Sequence, residues 1–263
     1  MIGTSFANDI EWMKALLALI VSCALQVGVN YANDYSDGIR GTDTNRVGPT
    51  RIVAAGLATA SAVRNAAIIS FTVAAIAGLI LSILSNRWLI LIGAISILAA
   101  WGYTGGKKPY GYLGFGELAV FVFFGLVATI GSYFVQSATI NWQIFLLSIP
   151  VGCLSCAILV LNNLRDLPKD KIVGKNTLAV LLGDRKTRIF YIILLVISQL
   201  LSVILSIIDL KLLATLICIP LTFSLSKRIM SGVNGVELIS VLARTASLQL
   251  LLSIITASAL FIS

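Results

Sequence analysis

Histidine is absent from this 263-residue chain. That absence excludes haem ligation through imidazole, Ser–His–Asp hydrolysis and most zinc catalysis. Charge is scarce too, with 11% of residues Asp, Glu, Lys or Arg, where soluble domains carry about a quarter. Cysteines number four, all inside apolar runs. Cys153-Leu-Ser-Cys156 has the spacing of a redox or metal pair, but with no second pair and no histidine it reads as small packing residues. Residues 1–11 lack a basic n-region, and no small-residue cleavage site follows the first apolar run, so no cleavable signal peptide is expected.

What the chain has instead is hydrocarbon: 58% of residues are hydrophobic and the mean hydropathy is +0.99. The apolar runs are long and rich in Leu, Ile, Ala and Val, unlike the ten-residue alternating segments of a barrel. The expectation is an all-α integral membrane protein, one domain over 1–263, with about eight transmembrane helices. They fall near 13–33, 64–84, 88–103, 118–136, 143–164, 189–208, 211–227 and 238–262.

The connections alternate in character. Loops 34–63, 104–117 and 165–188, with the connection at Lys227 and Arg228, hold most of the Lys and Arg; the intervening ones hold Arg87, Lys211 or none. The positive-inside rule puts the long basic loops in the cytoplasm. Eight helices then leave both ends outside, and one more helix before residue 1 would return the N-terminus to the cytoplasm. The net charge of +8 reads as topology and anion binding, with no nucleic acid as partner, because the chain is buried in lipid.

Carboxylates at a membrane boundary are costly unless something occupies them. Asn33-Asp34-Tyr35-Ser36-Asp37 closes one apolar run, with Asp43, Arg40, Arg46 and Arg51 beyond it. Asn162-Asn163-Leu-Arg-Asp166, followed by Asp170, closes another, and a basic, Gly-containing segment follows each cluster. The echo suggests two related halves around a central cavity. Residues three and four apart share a helix face, so Asn30, Asn33, Asp34 and Asp37 form one polar stripe, and Asn162, Asp166 and Asp170 another. Pro168 is expected to end the second helix near Asp166. Facing stripes of hard oxygen ligands suit Mg²⁺, which takes one or two carboxylates plus substrate phosphates and waters. Surrounding Arg and Lys supply further phosphate contacts.

These motifs carry a resemblance. Asn33-Asp34-x-x-Asp37 with Asp166-x-x-x-Asp170 resembles the two aspartate-rich motifs of the UbiA-type membrane prenyltransferases. Tyr103-Thr-Gly-Gly-Lys107 is similar to that family's Tyr-x-x-x-Lys element. The run from Gly28 to Gly38, with Arg46-Val-Gly-Pro and Asn162-Asn-Leu-Arg-Asp, is most similar to members that prenylate 1,4-dihydroxy-2-naphthoate in menaquinone synthesis. The family usually has nine helices, and Met1-Ile-Gly-Thr looks like the tail of the first.

The resemblance implies a mechanism. Asn33, Asp34, Asp37, Asn162, Asp166 and Asp170 hold Mg²⁺ on the diphosphate of a polyprenyl donor. Arg46, Arg51, Lys107 and Lys175 bind the leaving diphosphate, and Asp37, Asp166, Tyr103 and Lys107 carry catalysis. Tyr103, Phe121, Phe124 and Tyr133 are candidates to stabilise an allylic cation. The aspartate motifs do not separate the naphthoate from 4-hydroxybenzoate, homogentisate or a haem or chlorin precursor as acceptor. From another class, a cation-coupled transporter would place similar carboxylates at a repeat interface. Arg244, inside the last apolar run, is expected to reach an internal carboxylate or a bound anion. Loop 104–117, with five glycines, is a candidate mobile cap.

Overall fold

A computed structural model describes residues 1–42 and 48–262. Asp43 and Arg46, both named above, lie outside the described residues. Among those described there are helices and connecting turns and no strand. A single turn α1 (Ile2–Ser5) precedes α2 (Trp12–Ile39), α3 (Ala60–Leu84), α4 (Trp88–Gly102), α5 (Gly116–Ser137) and α6 (Trp142–Ile172). A short α7 (Leu178–Leu182) leads to α8 (Asp184–Ile207), α9 (Leu210–Met230) and α10 (Glu237–Phe261). Seven of these helices have the length and apolarity to cross a membrane, and α4 is a shorter apolar helix between two of them. The eight apolar runs of the sequence are therefore eight helices, and the chain is a multi-pass membrane protein.

Two helices outrun their expected ends, and the reason is tertiary. On α2 the helix continues six residues past Asn33, because the carboxylates of Asp34 and Asp37 find partners in neighbouring segments and need not unwind toward water. On α6 the expected stop at Pro168 is overturned. Proline in a helix interior removes one backbone bond and costs about 3 kcal/mol, yet α6 runs on to Ile172. Val173 N–H donates to the Lys169 carbonyl (3.0 Å) and Lys175 N–H to the Asp170 carbonyl (2.9 Å), so the last turn is tied down from beyond its end.

Helix starts follow local chemistry. The Thr59 hydroxyl accepts from Ala62 N–H at the head of α3, and the Asn141 amide oxygen from Ile144 N–H at the head of α6. Asp209 does the same for Lys211 N–H before α9.

α6 is the central post of the bundle: 67% of its most apolar window is buried, against 11% for α2. Its apolar face packs with α8, α9 and α10 around Leu154, Leu161, Tyr191, Leu195, Leu225 and Leu248. On its other flank α6 meets α5 at glycines. A Cβ on Gly125 would sit 2.5 Å from the Gly152 Cα, so only hydrogen allows that approach. Phe121–Val127 of α5 is wound as a π-helix, a distortion that often marks functional sites. α2 packs on α3 and α3 on α4 to form one wall, and α6 with α5 packed against it forms the other. A cavity lies between the two walls.

Candidate active site

The cavity has a volume of about 900 Å³ and runs from a greasy interior to a polar mouth. Leu25, Leu81, Ile92, Phe123, Phe124 and Val127 are among its apolar wall, from α2, α3, α4 and α5. At the mouth α2 contributes Asn33, Asp34 and Asp37, and α6 contributes Asn162, Asp166 and Asp170. The two acidic stripes thus share one chamber, and all six residues expected to hold a metal line it. Arg51 and Lys175 line it too. Lys107 is exposed and not on the cavity wall, so of the two named residues of the Tyr-x-x-x-Lys element Tyr103 lines the cavity and Lys107 does not.

The carboxylates differ in what engages them. Asp34 is buried, and its two oxygens accept the backbone N–H groups of Ile52 (2.8 Å) and Val53 (3.2 Å). It clamps the loop that carries Arg51. Asp37 is buried as well. Its Oδ1 accepts from the Lys175 ammonium at 3.1 Å and from the Tyr112 hydroxyl. Asp166 is gripped by both forks of the adjacent Arg165, Nε to Oδ1 and Nη2 to Oδ2, each 2.8 Å. The Arg165 guanidinium in turn lies against Gly48: a Cβ there would come within 3.0 Å of it. Asn33 accepts from the Thr104 hydroxyl at 2.8 Å.

The segment between α4 and α5 is strapped across the mouth. Arg40, at the end of α2, donates to the carbonyls of Thr104 (2.5 Å) and Gly106 (2.6 Å). Gly111 N–H donates to the Tyr103 carbonyl, and Asn176 N–H to the Tyr112 carbonyl (2.9 Å), which joins the strap to the segment after α6. The expected cap is therefore bonded to the end of α2 and to the segment that follows α6. Two cations lie over the Tyr112 ring, Lys175 Nζ 4.5 Å and the Arg40 guanidinium 5.5 Å from its centre. Burial, with the Asp37 charge beside it, holds the Tyr112 hydroxyl well above the ordinary tyrosine range, so it stays a proton donor. Burial likewise pushes Tyr110 up to about 12, and its hydroxyl donates to the Ala99 carbonyl.

Of the four aromatics expected near a cation, Tyr103 and Phe124 line the cavity, joined by Tyr31, Tyr110, Tyr112 and Phe123. Phe121 packs on Gly152, and Tyr133 is buried against Phe6 and bonded to Asn141, so both serve packing. Arg244 is exposed and donates to the Ser224 hydroxyl (3.3 Å) in place of the expected carboxylate. Tyr112 escaped the sequence reading, and Arg40 and Arg165 stood there only among the surrounding basic residues, with no role of their own. Arg40 lies three residues past Asp37, the spacing of a shared helix face; Tyr112 has no local signal, since only the fold brings it to Asp37.

A site of this make, hard oxygens and cations at the mouth of an apolar shaft, has known counterparts. A family model described as UbiA prenyltransferase family matches residues 2–257. The chain is 50% identical over 249 residues to a 1,4-dihydroxy-2-naphthoate octaprenyltransferase of Mycobacterium tuberculosis, covering 95% of this chain and 85% of that one. It is 48% identical over 259 residues to the protein of the same name from Mycobacterium leprae, covering 98% and 88%. Among solved structures, a UbiA homolog from Archaeoglobus fulgidus bound to DMAPP and Mg²⁺ superposes with a TM-score of 0.69 at 14% identity, over 98% of this chain and 92% of that one. With the family model spanning nearly its full length, the chain is a member of the UbiA prenyltransferase family.

Proposed function

We propose that the chain, acting as a single domain over 1–263, transfers a polyprenyl group from its diphosphate to 1,4-dihydroxy-2-naphthoate. The products are diphosphate, carbon dioxide and demethylmenaquinone at the hydroquinone level. The observation that carries this reading is the single cavity that joins two acidic stripes, Arg51 and Lys175 to an apolar interior. The mouth suits a diphosphate and the interior suits an isoprenoid chain. The choice of acceptor is supported by the mycobacterial relatives, whose names carry the naphthoate. A cation-coupled transporter is set aside, since the family is one of prenyltransferases.

Mg²⁺ fits the residues present. The donors are hard oxygens, and they sit where a diphosphate would complete the coordination. Among the described residues no three acidic or cysteine side chains cluster closely enough to hold an ion alone. The A. fulgidus homolog, solved with a prenyl diphosphate and Mg²⁺, supports the same pairing. Asn33, Asp37, Asn162, Asp166 and Asp170 would hold the metal here, with Asp34 committed to its loop. When bound, the ion neutralises charge on the leaving diphosphate.

The chain's own residues supply the rest. Arg51 and Lys175 add positive charge beside the diphosphate, where it stabilises the departing electron pair. The apolar shaft excludes water, which would otherwise capture the allylic carbon. Tyr103, Tyr110 and Phe124 line the cavity, where aromatic rings would stabilise a positive carbon. The donor's C–O bond breaks with its electron pair leaving on diphosphate. A ring carbon of the naphthalenediol supplies the pair for the new C–C bond. The carboxyl group departs as carbon dioxide, returning its bonding pair to the ring. By the positive-inside rule the mouth faces the cytoplasm of a bacterial plasma membrane.

The test is a transfer assay with purified protein, labelled polyprenyl diphosphate and a panel of aromatic acids, with and without Mg²⁺. Prenylated naphthoate with stoichiometric carbon dioxide, lost on chelation, is the expected result. Preference for 4-hydroxybenzoate or homogentisate would overturn the acceptor, and metal-independent transfer the metal.

A further inference from the structure

We infer that Lys175 is a displaceable counter-ion of Asp37: it holds that carboxylate while no divalent ion is bound, and releases it to the metal while moving its own charge to the donor's diphosphate. The inference rests on the Mg²⁺–diphosphate reading above.

Asp37 is 6% exposed and Lys175 8%, and Nζ lies 3.1 Å from Oδ1. A carboxylate so buried, beside other carboxylates, needs a cation at all times. When a divalent ion is present it supplies that charge; when it is not, the protein must. The same Oδ1 takes the Tyr112 hydroxyl, while Oδ2 has no hydrogen-bond partner among the described residues, on a side chain that lines the cavity. One oxygen is therefore engaged by the protein and one is left for a ligand.

The choice of side chain matters. Asp166 is held by the planar fork of Arg165 through two 2.8 Å bonds, a fixed arrangement. Asp37 is held by a single ammonium on a flexible stem, which gives up one acceptor for another without breaking a matched pair. The Tyr112 ring lies 4.5 Å beneath that ammonium and keeps a favourable face under it once the carboxylate is surrendered. Gly174, at φ +76° and with open space around it, precedes Lys175, whose own N–H is tied to the Asp170 carbonyl. The lysine is thus anchored through its backbone just past the end of α6, while its ammonium is held, among the described residues, only by Asp37 Oδ1 and the Tyr112 ring face.

A purely structural lysine, a fixed diphosphate contact and a displaceable counter-ion differ in how metal alone binds. Purified wild type, Lys175→Met and Lys175→Arg would be titrated with Mn²⁺, followed by electron paramagnetic resonance, with and without inorganic diphosphate. Removing the competing cation should tighten Mn²⁺ alone by about tenfold in Lys175→Met while weakening diphosphate by a similar factor. Lys175→Arg, with a fork that competes harder for Asp37, should weaken Mn²⁺ several-fold. Opposite signs for metal and diphosphate in the Met variant support the inference. Mn²⁺ affinity unchanged or weakened in that variant overturns it. Should Lys175→Met not fold, Mn²⁺ binding by the Arg variant as tight as wild type overturns it equally. The titration contains no acceptor, so a wrong naphthoate assignment leaves it standing. A wild type that binds no Mn²⁺ even with diphosphate removes the metal reading itself.

Discussion

Replacing Asp34 by alanine separates two roles for that carboxylate. Its oxygens accept from Ile52 N–H at 2.8 Å and Val53 N–H at 3.2 Å. Hydrogen bonds to a charged acceptor contribute about 1.5–3 kcal/mol each, and the longer one falls at the low end, so the loss is about 3–4 kcal/mol. It falls on residues 51–57, which also carry turn bonds such as Ala55 N–H to the Arg51 carbonyl. Such a loss is a local opening, not global unfolding. Amide exchange at Ile52 and Val53 should speed by roughly 10²–10³-fold, at about tenfold per 1.4 kcal/mol. The melting temperature should hardly move. Because Arg51 and Ile52 line the cavity, KM for the donor should rise while the Mg²⁺ concentration for half-maximal rate stays nearly constant. Asp34→Asn keeps one acceptor oxygen and should fall between. Hydrogen exchange by mass spectrometry over residues 48–57 measures the first effect and donor and metal titrations the second. Unchanged exchange with a tenfold higher Mg²⁺ requirement would show Asp34 to be a metal ligand and refute the clamp.

Asp37→Ala and Asp166→Ala should each lower kcat by on the order of 10²–10³ or more, with membrane insertion and detergent extraction unchanged; near-wild-type turnover in the labelled-diphosphate assay would remove that residue from the site. Lys107→Ala, at an exposed position off the cavity wall, should change kcat/KM by less than about threefold, in the range of surface substitutions; a hundredfold loss would mean the strap rearranges when substrate binds. Gly152→Ala introduces a methyl whose Cβ meets the Phe121 ring at 2.7 Å; overpacking there should cost about 1–3 kcal/mol, read as a lower thermal midpoint in detergent. Tyr112→Phe removes the hydroxyl on Asp37 and leaves the ring under Lys175; thermal stability without Mg²⁺ should fall by about 1 kcal/mol or more for one lost bond to a charged acceptor, and an unchanged midpoint would mean that bond contributes nothing.

Hydropathy alone determined that this chain is a bundle of membrane helices. Twenty-odd apolar residues in lipid have no other way to satisfy their backbone, so each run is a helix whatever surrounds it. The acidic stripes were legible for a related reason. A carboxylate beside a bilayer is costly enough to be conspicuous, and helical spacing says which carboxylates share a face. Helix ends were less legible. Proline and aspartate locally favour stopping, and the sequence alone does not show that Lys175 N–H lies beyond Asp170, or that Ile52 N–H waits for Asp34. Roles within the site came from the fold only. Lys107 and Lys175 look alike as basic residues in Gly-containing loops, yet one is solvent-facing and the other is buried on Asp37. Tyr112 is 75 positions from its acceptor. Such pairings depend on which segments the fold brings to the one mouth that α2 and α6 both line, and a periodicity read along a single helix carries no record of them.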